Sequence, residues 1–337
     1  MKMIYGTMRM MDFVIALGDL FMPRACLACG CRLGMRERLL CLSCAADVPY
    51  TRFWLAAHNP LADRFNAVLE RHRGTEPMDY AYAAALLYYK GAYRSIPRAL
   101  KYQGNLAAGR HYGALLGRRL AAAPHFADID LVIPVPLHWT RLRSRGYNQA
   151  EVLARALADA FRATTPPAAL STAPSSGTSE RWPVGAGHDE KSIPTIASPS
   201  TPSTVLLGTP STVIPGLTRN LPEVRTDLLV RARRTRTQTR VSVDQKAQNV
   251  ASAFQVPERF PLWARLTSRI DRESPATILA SARHILLVDD TYTTGATLYA
   301  CYAALRPFTA ARISIATLAA VEGTPSMEGP PSGIGGS

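Results

Sequence analysis

Residues 284–297, HILLVDDTYTTGAT, place two adjacent carboxylates, four threonines and a glycine directly after an apolar run. Carboxylates accept hydrogen bonds, so Asp289 and Asp290 suit the hydroxyls of a sugar and are the candidate catalytic pair. Thr291, Thr293, Thr294, Gly295, Ala296 and Thr297 form a candidate phosphate cradle: hydroxyls and turn amides donate to an anion, and a glycine lets the backbone approach it closely. An Asp-Asp pair alone also caps a turn. With the threonines and glycine behind it, a phosphate attached to a polyol, as in ribose 5-phosphate, fits the whole string.

A second anion motif is VPLHWTRLRSRGYNQA, residues 135–150. Its arginines precede a glycine and a helix start, and guanidinium forks pair well with a diphosphate. The plain alternative is a solvated basic loop. Lys101 and Tyr102 end a helical segment and read equally as a snorkelling lysine with a packing tyrosine. His138 stands alone and is more simply structural.

The third group is thiol chemistry. Five of the six cysteines fall between Cys26 and Cys44. Cys26, Cys29, Cys41 and Cys44 have the spacing C-x2-C-x11-C-x2-C, which offers four thiolates to one closed, structural metal site, most simply zinc. Cys31 is one thiol too many, either an alternative ligand or a bystander. Cys301 lies in an apolar helix and reads as core packing.

The elements that must position these groups alternate. YAYAAALLYY reads as a strand, GAYRSIPRALKYQGN as a helix ending near Gly104, and NLAAGRHYGALLGRRLAAA as a second helix. DIDLVIPVP is a continuous apolar strand, GYNQAEVLARALADAF a helix, Phe254–Val256 and Ile285–Val288 strands, 297–305 a helix and RISIATLA a last strand. This order predicts an α/β fold with a doubly wound parallel sheet over 80–320. A small cysteine-rich module with an amphipathic helix occupies 1–55. Residues 164–224 are rich in Pro, Ser, Thr and Gly and read as a disordered insertion, and 321–337 as a disordered tail.

The chain has 337 residues and a formal charge of +14, with an isoelectric point near 9.9. That balance suits an anionic partner, although arginine over lysine and abundant alanine also follow from genome composition. Paired C-x2-C motifs point to a reducing compartment. Asp12 and Asp19 interrupt the opening apolar stretch and no segment reaches membrane-spanning length, so a cytoplasmic protein is expected.

Taken together, ILLVDDTYTTGAT, DLFMPRACLACG with CLSC, ALKYQGN, VIPVPLHWTRLRSRGYNQAEVLA and RTRTQTRVSVDQKAQNVASAFQV resemble, in order, the ComF family. These are competence protein F and GntX-like proteins, which join a zinc module to a type I phosphoribosyltransferase-like domain. The resemblance implies that the chain binds 5-phosphoribosyl 1-diphosphate (PRPP) with Mg2+. Pro136, Arg141 and Arg145 would lie near the pyrophosphate, and Val135–Pro136 is a place where relatives carry a cis peptide. Gln238, Lys246 and Asn249 would belong to a mobile lid, with Lys246 standing where an arginine is usual. It also implies a link to DNA uptake in natural competence, with single-stranded DNA or a helicase as partner. Phosphoribosyl transfer and a non-catalytic accessory role both stay open. No aromatics interleave obviously with the arginines, which weighs against direct strand binding.

Overall fold

The computed structural model describes residues 24–72, 79–164, 222–231, 253–260 and 273–322. All of them belong to one compact unit, Met1–Pro166 with Arg219–Ser337. The opening helix, most of the insertion, the lid residues Gln238, Lys246 and Asn249, and the tail beyond 322 lie outside the described residues.

The core is a five-stranded, all-parallel sheet in the order β1-β7-β6-β2-β3. Its strands are β1 (Ala83–Tyr88), β2 (Leu131–Pro134), β3 (Glu223–Val224), β6 (His284–Tyr292) and β7 (Arg312–Ala320). β1, β2 and β7 are buried almost throughout, which is why they read as unbroken apolar runs rather than alternating ones. Two departures from expectation appear. Glu223–Val224, placed in the insertion by composition, pairs in parallel with β2 and closes the sheet edge. Phe254–Gln255 (β5) stays out of this sheet and pairs antiparallel with β4 (Val230–Arg231), which joins the two ends of segment 232–252.

Helices cover both faces. On one face lie α3 (Ser95–Tyr102), α4 (Leu106–Ala121) and α6 (Gln149–Thr164), whose Leu100, Leu116, Leu120, Leu153, Leu157 and Phe161 pack on Leu286 and Val288. On the other lie α2 (Pro60–Arg71), α7 (Pro275–Ser281) and α8 (Ala296–Leu305), packed on Ile285 and Leu287. Each fully buried leucine of this kind contributes about 2 kcal/mol by leaving water. The prediction of a doubly wound parallel sheet therefore holds.

α2 falls in residues 56–79, to which no element was assigned. Its signals are local: the Asn59 side chain accepts from the amides of Leu61 and Ala62, Pro60 occupies the first turn, and Leu61, Phe65 and Leu69 recur every fourth residue into the core. The segment read as an arginine loop is likewise a short helix, α5 (Trp139–Arg145). His138 caps it, accepting from the Thr140 amide, and Gly146 ends it at φ 78°.

The cysteine module begins as a tight loop, with the Cys26 amide donating to the Cys31 carbonyl and Ala25 bridging Arg32. It leads into α1 (Leu42–Ala46). The chain then reaches β1, where Tyr50 bridges Leu87 and the Tyr88 amide donates to the Pro49 carbonyl.

Candidate functional site

In an open parallel sheet, ligands bind beyond the carboxyl ends of adjacent strands whose following helices depart to opposite faces. β2 and β6 meet that condition. They are hydrogen-bonded neighbours, with Pro134 opposite Val288; β2 continues through α5 into α6 on one face, and β6 into α8 on the other. The arginine segment and the DDTYTTGAT turn thus leave the same sheet edge, side by side. The Val135 amide donates to the Val288 carbonyl at 2.9 Å and Asn148 Nδ2 to the Val135 carbonyl at 3.1 Å, which fixes the start of the β2 exit. The Val135–Pro136 peptide is trans.

β6 runs four residues past the expected strand end, through both aspartates to Tyr292. Its pleat sends Ile285 and Leu287 into one core and Leu286 and Val288 into the other, and the carboxylates continue this alternation. The two acids, read as one acceptor surface, are thereby divided. Asp290 is buried and pairs with Lys101, Nζ to Oδ1 2.9 Å, while Lys101 Nζ also donates to Thr291 Oγ1 at 3.3 Å. Asp289 is half-buried on the other side, within the electrostatic reach of Arg231 and Cys301. Burial, followed by the charge of Asp290, pushes its carboxyl up to about 7, against the Asp290 amide, Lys101 and Arg231, which pull it down. A carboxyl that titrates near neutrality can give or take a proton at physiological pH.

Beyond Tyr292 the chain turns through exposed Thr293 and Thr294 to Gly295, whose φ of 80° starts α8. A Cβ on residue 295 would lie 2.6 Å from the Tyr292 hydroxyl, so both the conformation and the space require glycine. Arg64 holds this turn from α2: its Nη2 donates to the Thr293 carbonyl at 2.9 Å, its Nη1 to the Val321 carbonyl at 2.7 Å, and its guanidinium lies 5.2 Å over the Tyr292 ring. The first amides of a helix lack internal acceptors, and here the Ala296 amide donates to Thr294 Oγ1 at 3.5 Å, so the threonine hydroxyl sits at the start of α8.

Across the crevice, Lys101, Tyr102, Gly104, Arg141, Ser144, Arg145 and Tyr147 line a cavity of about 400 Å³. It contains three cations and no carboxylate in its wall, so it suits a polyanion. Arg145 stacks on Tyr102 at 5.4 Å and donates to Gln149 Oε1 at 3.0 Å. Tyr147 Oη donates to the Leu100 carbonyl, tying α3 to the end of α5.

Arg141 and Arg145 share the cavity wall with Lys101, whose ammonium reaches Asp290 and Thr291. Lys101 belongs both to the cavity wall and to the Asp290 pair. Arg231, three residues before the RTRTQTRV string, is half-buried, 5.1 Å over Phe254, with burial and the charge of Arg141 depressing its pKa.

At the module, Cys26, Cys29, Cys31 and Cys41 lie within 4.8 Å of one another, a set able to hold a metal ion. Three are the expected ligands; Cys31 takes the place expected for Cys44, whose thiol lies outside this set of four but neighbours those of Cys41, Cys29 and Cys26. Burial pushes the Cys26 thiol up, but amide hydrogen bonds from Cys29, Cys41 and Ala28 outweigh it and bring it down to about 6. Among the described residues no helix is long and apolar enough to cross a membrane.

No protein-family model and no curated protein sequence matches the chain.

Proposed function

We propose that this crevice binds PRPP, or a related phosphoribosyl ligand carried with Mg2+, and that the chain is a ComF-like protein with a phosphoribosyltransferase-type domain. The observation that carries the reading is the adjacency of β2 and β6 at the switch point. It sets a cationic cavity and an acid–threonine–glycine turn at one sheet edge, and a sugar bearing anions at both ends fits that polarity.

In this reading the 5-phosphate rests on Thr293, Thr294 and the amides of Gly295, Ala296 and Thr297. Asp290 and Asp289 accept from the ribose hydroxyls from two sides of β6. Arg141, Arg145 and Lys101 receive the pyrophosphate, near Pro136. Mg2+ would be carried on the diphosphate beside Arg141, Arg145 and Lys101. Bound there, it would neutralise phosphate charge. If transfer occurs, cleavage of the C1–O bond builds positive charge on the ring, which the carboxylates favour, while the cations stabilise the departing diphosphate. The thiol module takes zinc in a structural role, and its free thiols suit a cytoplasmic setting.

Thermal melts test this reading. PRPP with Mg2+ raises Tm in the wild type, and the rise is lost in Asp290→Asn and Thr294→Ala.

A second reading is favoured by one observation: exposed aromatics do accompany the arginines in space. Trp139 is 65% exposed at one end of α5, and Tyr102, 74% exposed, lies against Arg145 at the other. Aromatic plates on a cationic surface suit single-stranded nucleic acid, which agrees with an accessory role in DNA uptake, alone or beside a helicase. Stabilisation by oligonucleotide without PRPP, steeply weakened by salt, separates this reading from the first.

A further inference from the structure

Five thiols crowd a site that a tetrahedral metal fills with four. They form two overlapping sets. Cys26, Cys29, Cys41 and Cys31 lie within 4.8 Å of one another, and the Cys44 thiol neighbours the same three, Cys41, Cys29 and Cys26, from α1. Cys29 and Cys41 are 3.7 Å apart at sulfur, and the Cys41 amide donates to Cys26 Sγ at 3.4 Å, so the common trio is a built unit rather than an accidental cluster. The two remaining thiols differ in setting. Cys31 is exposed, on the loop that returns from Gly30 at φ 76°, whereas Cys44 is half-buried in α1, with its carbonyl accepting from Tyr93 Oη at 2.9 Å.

We propose that Cys31 and Cys44 compete for the fourth position on a zinc ion held by Cys26, Cys29 and Cys41, and that the thiol left over is a peroxide-reactive trigger for metal release. Either spare thiol stands next to ligating sulfurs, and Cys31 is also open to solvent. A hydroperoxide oxidises the spare thiol by two electrons: the O–O bond breaks, one oxygen joins sulfur as a sulfenic acid, and the other leaves as water or alcohol. The thiolate of Cys29 or Cys41 then attacks that sulfur. An S–S bond forms, the S–O bond breaks, and the leaving hydroxide takes a proton from solvent and departs as water. The ion loses one of its three fixed ligands, and metal affinity falls with it. The module would thus sense oxidant through a spare ligand, and the phosphoribosyl reading is not needed for this.

Metal content of the purified full-length chain tests the first half. Wild type, Cys31→Ser and Cys44→Ser each retain one zinc per chain after gel filtration, and the cobalt-substituted forms keep the intensity of their thiolate charge-transfer band; Cys31→Ser/Cys44→Ser loses stoichiometric metal. Loss of metal from either single variant, or its retention in the double one, overturns the exchange. Zinc release under hydrogen peroxide, followed with a chromogenic chelator, tests the second half. Release slows several-fold in Cys31→Ser relative to wild type, and equal rates overturn the trigger. Both readouts are independent of PRPP binding.

Discussion

Lys101 and Asp290 form an ion pair across the sheet face, 2.9 Å from Nζ to Oδ1, in which the carboxylate side chain is only 11% exposed and the lysine 26%. The pair joins the helix that walls the cationic cavity to the strand that carries the acids. A ligand whose sugar hydroxyls take Asp290 and whose phosphates take Lys101 would substitute for both partners at once. Removing one partner leaves the other short of solvent and unpaired. Lys101→Met is therefore expected to cost about 1–3 kcal/mol in denaturant unfolding. Asp290→Asn in the same chain recovers part of that loss, and a double-mutant cycle isolates the pair's coupling.

Asp289 supplies a pH signature. Its folded carboxyl sits at about 7, above the ordinary value near 3.8. Between those two values the folded state holds a proton that the unfolded state has released, so stability falls as pH rises through this window and the loss is complete above about 7. Asp289→Asn removes the titration. Its stability relative to wild type should accordingly be more favourable at pH 8 than at pH 5, by on the order of 1 kcal/mol, measured by urea melts at both values.

Gly295 ties the backbone geometry of the turn to the packing of Tyr292. An alanine there must hold φ near 80° and also displace the Tyr292 hydroxyl, which sits 2.6 Å from the new Cβ. A loss of about 1–3 kcal/mol is expected. Tyr292→Phe in the Gly295→Ala background relieves the steric part and leaves the conformational part. The combined variant should therefore melt above Gly295→Ala and below wild type.

α4 and α6 meet with no room between their backbones. A Cβ at Gly117 would fall inside contact distance of the Leu157 carbonyl oxygen, which cannot swing aside as a flexible side chain can. Gly117→Ala gains helix propensity yet should destabilise by about 1–3 kcal/mol, because overpacking outweighs the gain. Chemical denaturation of this variant beside Gly104→Ala, whose Cβ would meet open space, separates packing from the strain of a positive φ.

The fold was legible where burial is complete. β2, β6 and β7 are long apolar runs because helices cover both faces, and α4 and α6 show helical periodicity against them. Glu223–Val224 was not legible, since two residues at the end of a Pro- and Ser-rich stretch carry no pattern and become a strand only through pairing with β2. α5 was hidden by its chemistry: its arginines drew attention as ligands, although the His138 cap and Gly146 at its end mark a helix. At the site, the residue types pointed to Asp289, Asp290 and the threonine turn, but the extension of β6 that divides the acids depends on its pairing with β7 as far as Tyr292. Lys101 was ambiguous for a similar reason. Its partner lies 189 residues away (290 minus 101), and only the crossover places them together.

In the proposed function one crevice holds a sugar with phosphate at both ends. Isothermal titration calorimetry with PRPP and Mg2+, beside ribose 5-phosphate and pyrophosphate separately, tests it most directly. PRPP should bind more tightly than either fragment, and Thr294→Ala and Arg141→Ala should each weaken PRPP about tenfold, roughly 1.4 kcal/mol. Each substitution should weaken only its own fragment, Thr294→Ala ribose 5-phosphate and Arg141→Ala pyrophosphate. No heat with any of the three ligands, or equal affinities in wild type and both variants, would contradict it.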